Sequence, residues 1–283
     1  MTRKITNHLS AADPVLGAVI AAAGRFDMGA LVEQSPFESL ARAIAHQQLN
    51  GKAAQSILNR FIALCGGTFP DPAALLALPD EQLRGVGFSF SKIAALKDLA
   101  AKAVEGVVPE RAALLDLDDD AIVERLTQVR GIGRWTVEML LMFQLRRPDV
   151  MPVDDFGVRA GFKLAYGLRG MPVPKQLAAY ATRWAPYRSA AAWYLWRAVD
   201  LAKAGKLPEP AETVALPRIA KKKRKKKQAT KAKRKPAPAA RSKTRAKKPT
   251  SSAASAARPA RSGARTPARP RPAPRSRAPA KKK

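Results

Sequence analysis

The last acidic residue of this 283-residue chain is Glu212. Beyond it lie 71 residues that carry 27 lysines and arginines and no aspartate, glutamate or aromatic side chain. Such a segment, with KKKRKKK at 221–227, has too little apolar surface to offset the entropy of ordering its backbone. The sequence therefore predicts a disordered basic tail over 213–283 and confines folding to residues 1–212, with the core at about 13–205. The first part is nearly balanced, with 25 basic and 22 acidic residues, so almost all of the net charge of +30 sits on the tail. A cationic tail condenses onto a polyanion by releasing counterions, which makes binding salt-sensitive and indifferent to sequence. Nothing in it is amphipathic, which argues against a membrane surface as its partner.

Within 1–212, apolar residues recur at spacings of three and four, and no stretch alternates with period two for long enough to make a strand. QSPFESLARAIAHQQL opens with a strong helix start. Ser35 is the expected N-cap, Pro36 suits the first turn, and Glu38 completes a capping box. Further helices are expected over KAAQSILNRFIALC, which ends at Gly66 and Gly67, and over DPAALLAL, DEQLRGVG, SKIAALKDLAAKAVEG, PKQLAAYATRWAP and YRSAAAWYLWRAVDLAKAG. DDDAIVERLTQVRGIGRWTVEMLLMFQL reads as two helices around a tight joint. The fold class is all-α, a multi-helix bundle with a substantial core.

The chain has one cysteine, Cys65, and two histidines, His8 and His46, far apart in sequence. An intrachain disulfide and a four-cysteine cluster are therefore excluded, and a side-chain transition-metal site is not expected. MTRKITNHLS lacks the apolar centre of a signal peptide, and no run of about 18 apolar residues could span a bilayer. The expected setting is intracellular: the nucleoid of a bacterial cytoplasm, or the nucleus if the lysine run serves as a localisation signal.

The joint VRGIGRWTVEML (129–140) carries the chemistry. Gly131 and Gly133 permit a tight turn and close approach of backbone to another molecule. The helix expected from Arg134 presents N–H groups without intrahelical partners, which makes an anion site; here the obvious anion is a DNA phosphate. Leu126, Val129 and Ile132 supply the apolar clamp around the turn. An ordinary glycine-capped turn between two helices fits the same residues.

LTQVRGIGRWTVEMLLMFQLRRPDVMPVDD, taken whole, resembles the signature of the helix-hairpin-helix DNA glycosylases. More narrowly, it is similar to the DNA-3-methyladenine glycosylase II (alkylbase) family. The matching elements are Gly131-Ile132-Gly133, Trp135, Thr136, Met151 and the acidic pair Asp154-Asp155. FESLARAIAHQQLNGKAA and RWAPYRSAAAWYLW resemble the family's Gln-Gln-Leu segment and closing helix. The resemblance runs over about 13–200 and is to the shorter, wholly helical members. It implies a two-lobed helical bundle with its active-site cleft between the lobes. It also implies hydrolysis of the N-glycosidic bond of an alkylated purine flipped from double-stranded DNA, at the start of base-excision repair, by a monomer.

The same resemblance assigns roles. Asp155 would be the catalytic carboxylate, with Asp154 the helix N-cap and fallback. Trp135 and Trp196 would sandwich the base, with Met139 in the pocket wall where the best-known bacterial enzyme has an aromatic. Trp135 stands where strand-cutting members of the superfamily carry a lysine, so no lyase step is expected. Leu49 would be the wedge that fills the gap left by the flipped nucleotide, with Gln48 beside it. Gly131, Ile132, Gly133 and Arg134 would hold one phosphate, and Gly85, Gly87 and Lys92 in RGVGFSFSK a second. Trp184 and Trp193 read as core, Glu138 as a partner of a neighbouring arginine, and His46 as a structural or DNA-facing residue. No cofactor is implied. A backbone-carbonyl site for a monovalent cation, known for such hairpins, would lie at about 126–131. The competing reading is a non-enzymatic DNA-binding or DNA-compacting protein that uses the helical domain and the tail.

Overall fold

The computed structural model describes residues 2–31, 33–210 and 216–217, so the tail forecast over 213–283 lies almost wholly outside the described residues. Every regular element among them is helical. In chain order these are α1 (Thr2–Ala12), α2 (Pro14–Ala23), α3 (Pro36–His46), α4 (Gly51–Leu64), α5 (Pro72–Ala77), α6 (Asp80–Gly85) and α7 (Phe90–Val104). There follow α8 (Arg111–Leu115), α9 (Asp119–Leu126), α10 (Arg134–Met139), α11 (Phe156–Ala165), α12 (Pro174–Ala181) and α13 (Arg188–Lys203). Leu140–Gln144 prolongs α10 as a π-helical turn, and Thr182–Trp184 is a 3-10 turn after α12.

The polar residues ahead of the apolar stripes set where these helices begin. Asp13, Ser35, Asn50, Asp71, Ser89, Asp118 and Asp155 each accept a hydrogen bond from a backbone N–H of the first turn. Each such cap is worth about 1 kcal/mol. At Ser35 only half of the forecast box forms. The hydroxyl caps Glu38, but the Glu38 carboxylate pairs with Arg42 at 2.7 Å, one turn on, where it meets a full charge.

The helices form two lobes. One holds α1, α2 and α11 to α13: α13 lies against α11 and α2, and α1 against α2. The other holds α3 to α10, with α3 and α5 on α7. The chain thus starts in one lobe, builds the other, and returns through residues 145–155.

Asp13 fastens the first lobe. It is buried, its Oδ1 caps α2, and its Oδ2 accepts from Tyr166 Oη at 2.6 Å and Trp184 Nε1 at 3.0 Å. A buried carboxylate is tolerated only with such partners. Burial, with the Asp13 charge alongside, pushes the Tyr166 hydroxyl well above its ordinary range, so it stays a donor. Trp184 is fully buried, and Trp193 packs edge-on against Phe26 and Tyr194.

The α11–α13 contact depends on one missing side chain. A Cβ at Gly161 would stand 1.8 Å from the carbonyl oxygen of Leu195, inside the van der Waals surface of backbone that cannot turn aside. Gly161→Ala must prise the two helices apart, at a cost of about 3 kcal/mol. Thermal unfolding should show the midpoint falling by roughly 6–12 °C for a domain of this size; an unchanged midpoint would mean the helices are not packed this closely.

Candidate active site between the lobes

The return segment RRPDVMPVDD is pinned before it reaches α11. Arg188, first residue of α13, grips Asp149 with two hydrogen bonds of 2.8 Å. Ser189 Oγ accepts from the Val150 amide at 2.9 Å and donates to the Arg147 carbonyl at 2.6 Å. Pro148 and Pro152 restrict the backbone between these anchors. The segment therefore delivers Asp155 to the mouth of the cleft in a fixed orientation.

Asp155, not Asp154, caps α11. Its Oδ1 accepts from the Val158 amide at 2.7 Å, while Asp154 is exposed and caps nothing. The correction is one of register: the bend Pro152–Asp155 places the second acid at the helix mouth. The same carboxylate accepts two indole N–H groups, Trp196 Nε1 on Oδ1 at 2.8 Å and Trp135 Nε1 on Oδ2 at 2.7 Å. Trp135 comes from α10 in one lobe and Trp196 from α13 in the other, so the carboxylate joins both walls of the cleft. Trp135 remains 48 % exposed, while Trp196 is half-buried and stacks on Phe143 with ring centroids 6.0 Å apart. Gly157, not singled out from sequence, makes this possible. A Cβ there would stand 2.8 Å from Trp196 Cδ1.

Beside Trp135 opens a cavity of about 540 Å³, lined by Ala43, His46, Gln47, Gln48, Gly131, Trp135, Thr136 and Met139. Its size falls within the range of small-molecule sites. Met139 is in its wall as expected from sequence, but His46, Gln47 and Thr136 were not given pocket roles there. Gln47 Nε2 donates to the Gly131 carbonyl at 2.8 Å and so ties the end of α3 to the hairpin. The next residue, Gln48, has φ +57°, a left-handed conformation unusual for a non-glycine residue and costing on the order of 1 kcal/mol. That kink carries Leu49 outward, 40 % exposed, on a turn beside the cavity.

The hairpin 131–133 has the expected form. Gly131 has φ +80°, and Ile132 is buried in the clamp with Leu126 and Val129. The amides of Gly131, Gly133, Arg134 and Trp135 have no partner among the described residues, and no side chain caps α10. The Ile132 amide is spent on the Val129 carbonyl. Leu126, Val129 and Gly131 carbonyls already accept hydrogen bonds, so a monovalent cation there would have to use their second lone pairs.

Three other phosphate assignments need correction. The Arg134 guanidinium is paired with Asp120 at 3.1 Å and Glu138 at 3.2 Å yet stays 57 % exposed, so a phosphate would have to compete with two acids for it. Lys92 Nζ donates to the Ala45 carbonyl at 2.6 Å and braces the end of α3. In the second glycine turn, the amides of Val86, Gly87 and Phe88 close onto Gln82, Arg84 and Leu83. Gly85 ends α6, and Gly87 abuts the Arg60 guanidinium and Ile57. That turn is a helix C-cap, which local sequence cannot distinguish from an anion loop.

Residues 41–186 match the family model described as the HhH-GPD superfamily base excision DNA repair protein. The chain is 41 % identical to DNA-3-methyladenine glycosylase 1 of Schizosaccharomyces pombe, over 69 % of this chain and 86 % of that protein. It is similar to the solved structure of S. pombe 3-methyladenine DNA glycosylase (Mag1) in complex with abasic DNA, with a TM-score of 0.64 and 40 % identity, over 70 % of this chain and 98 % of that one. It is equally similar to a DNA-3-methyladenine glycosidase of Bacillus halodurans, with a TM-score of 0.64 and 35 % identity, over 70 % and 91 % of the two chains.

Behind the paired indoles, Glu138 is only 6 % exposed. Burial pushes its carboxyl up to about 7, with Arg134 pulling down and Asp154 and Asp155 adding to the rise. The folded protein therefore holds a proton that the unfolded chain loses at the ordinary glutamate value of 4.5. Stability falls as pH rises from there through about 7, with an upper bound of roughly 3 kcal/mol. Glu138→Gln should abolish most of that loss: its unfolding midpoint should exceed the parent's at pH 8 and match it at pH 5. Parallel pH curves for the two proteins would refute the burial argument.

Proposed function

Because the chain belongs to the HhH-GPD superfamily of base excision DNA repair proteins, we propose that it is a monofunctional DNA glycosylase that everts an alkylated purine of the 3-methyladenine or 7-methylguanine type and hydrolyses its N-glycosidic bond. The observation that carries this reading is the single carboxylate of Asp155 suspended between two indoles, one of which, Trp135, lines a cavity roomy enough for a purine.

Eversion needs something to fill the gap in the stack. Leu49 is apolar, exposed and held out by a kinked backbone, which suits it to insertion between base steps. The free amides of Gly131, Gly133, Arg134 and Trp135 suit a phosphate of the opened strand. The everted base would lie on the exposed face of Trp135. A cationic purine gains about 0.5–2 kcal/mol there from stacking and cation–π attraction.

An N-alkylated purine carries a positive charge and leaves as a neutral base, taking the electron pair of the glycosidic bond. No general acid is required. The sugar becomes the electron-poor partner, and a carboxylate about 4 Å away stabilises it by roughly 4 kcal/mol at an effective dielectric near 20. That is about a thousandfold in rate. Water adds to C1′ and releases a proton to solvent, leaving an abasic site. Three N–H donors fix the Asp155 charge before substrate arrives, so little reorganisation accompanies the reaction. Trp135 offers no amine to attack C1′, so the strand stays whole.

The decisive assay is release of free base from methylated DNA. Asp155→Asn should lower release about a thousandfold while leaving affinity for DNA holding an abasic-site analogue within a few-fold. Retained release by that variant would remove Asp155 from the chemistry, and absence of release by the parent would remove the activity. Cutting the chain after residue 212 should leave single-turnover release at saturating protein unchanged. It should also flatten the dependence of DNA affinity on salt, since fewer counterions are displaced.

A further inference from the structure

His46 ends α3 at the rim of the cavity beside Trp135. Its Nδ1 lies 2.9 Å from the Arg42 carbonyl oxygen. A carbonyl can only accept, so Nδ1 must carry the hydrogen. The neutral ring is thereby fixed in one tautomer, with a lone pair on Nε2. Among the described residues Nε2 has no hydrogen-bond partner. The other side-chain polar groups of this wall are differently disposed. Gln47 spends its amide on Gly131, Gln48 is exposed on the wedge turn, and Thr136 is buried at the start of α10. The charged neighbours are also engaged: Arg42 with Glu38, and Lys92 with the Ala45 carbonyl.

We propose that His46 is a specificity-determining residue that reads the six-position of the everted purine, accepting a hydrogen bond from an exocyclic amine and opposing a carbonyl. This rests on the alkylpurine reading above and extends it. An adenine-type lesion presents an N–H donor at that edge, and alkylation to a cation makes the donor stronger. Such a charge-assisted bond stabilises by about 1.5–3 kcal/mol. A guanine-type lesion presents an oxygen there. Two lone pairs then face each other and the imidazole is left unpaired, which penalises the wrong base more than it rewards the right one.

The test uses DNA treated with a methylating agent, which holds 3-methyladenine and 3-methylguanine. Both bases are cationic in the strand and bear the same methyl group; the six-position amine or carbonyl is the difference that faces Nε2. The parent should release 3-methyladenine at least tenfold faster. His46→Leu, which keeps the bulk and removes the acceptor, should lower 3-methyladenine release about tenfold and leave 3-methylguanine release unchanged or raised. His46→Gln, whose amide presents either an acceptor or a donor, should keep release of 3-methyladenine and raise that of 3-methylguanine, narrowing the ratio. An unchanged ratio, or an equal loss of both bases, assigns His46 a purely structural role and overturns the proposal. Release of neither base by the parent overturns the alkylpurine reading, and this proposal with it.

Discussion

The cleft is organised around one carboxylate. Asp155 receives an N–H from its own helix, one from an indole on α10 and one from an indole on α13. The two indoles belong to different lobes, so the carboxylate links the walls of the cleft while its own helix fixes its position. Removing either indole N–H would free the carboxylate to turn and loosen one wall of the cleft. The pinning of Asp149 and Val150 by Arg188 and Ser189 reads the same way, since it stops the return segment from relaxing away from the indoles. Close approach of helices is bought with glycine, at 161 against the Leu195 backbone and at 157 beneath Trp196.

Much of this was legible in the chain. The helical class follows from apolar spacing, and most helix starts follow from Ser, Asp and Asn standing ahead of those stripes. The grouping of Asp155, Trp135 and Trp196 came from a motif spread over 62 residues, and the geometry brings these three side chains into mutual hydrogen bonding. What could not be read was which partner a polar group would choose. Arg134 and Lys92 look like phosphate ligands because they flank glycine turns. Arg134 is paired with Asp120 of α9 and Lys92 with a carbonyl of α3, elements that only tertiary packing brings near, whereas the pairing of Glu138 with an arginine of its own helix was legible. Gly157 and Gly161 look like mild helix-weakening residues until the neighbouring helix is in place. The continuous helix expected through EMLLMFQL becomes π-helical from Leu140, a change that no local propensity signals.

The surface around the cleft gathers several departures from ordinary local structure in one place. Single departures occur elsewhere too: α6, α8 and α13 start without a side-chain cap, Arg146 has φ +57°, and Val104 and Val173 stand exposed. Here α10 starts with open amides, Gln48 sits in a left-handed conformation, and Leu49, Trp135 and Phe156 stand exposed. Each departure is a small cost, on the order of 1 kcal/mol for a missing cap or a strained residue. All of them meet a plausible answer in one ligand. A DNA strand supplies phosphate oxygens for the amides, base faces for the aromatic rings and a gap for the leucine. What the cleft adds to these groups is a single fixed carboxylate, the feature that distinguishes a surface that acts on a strand from one that only holds it.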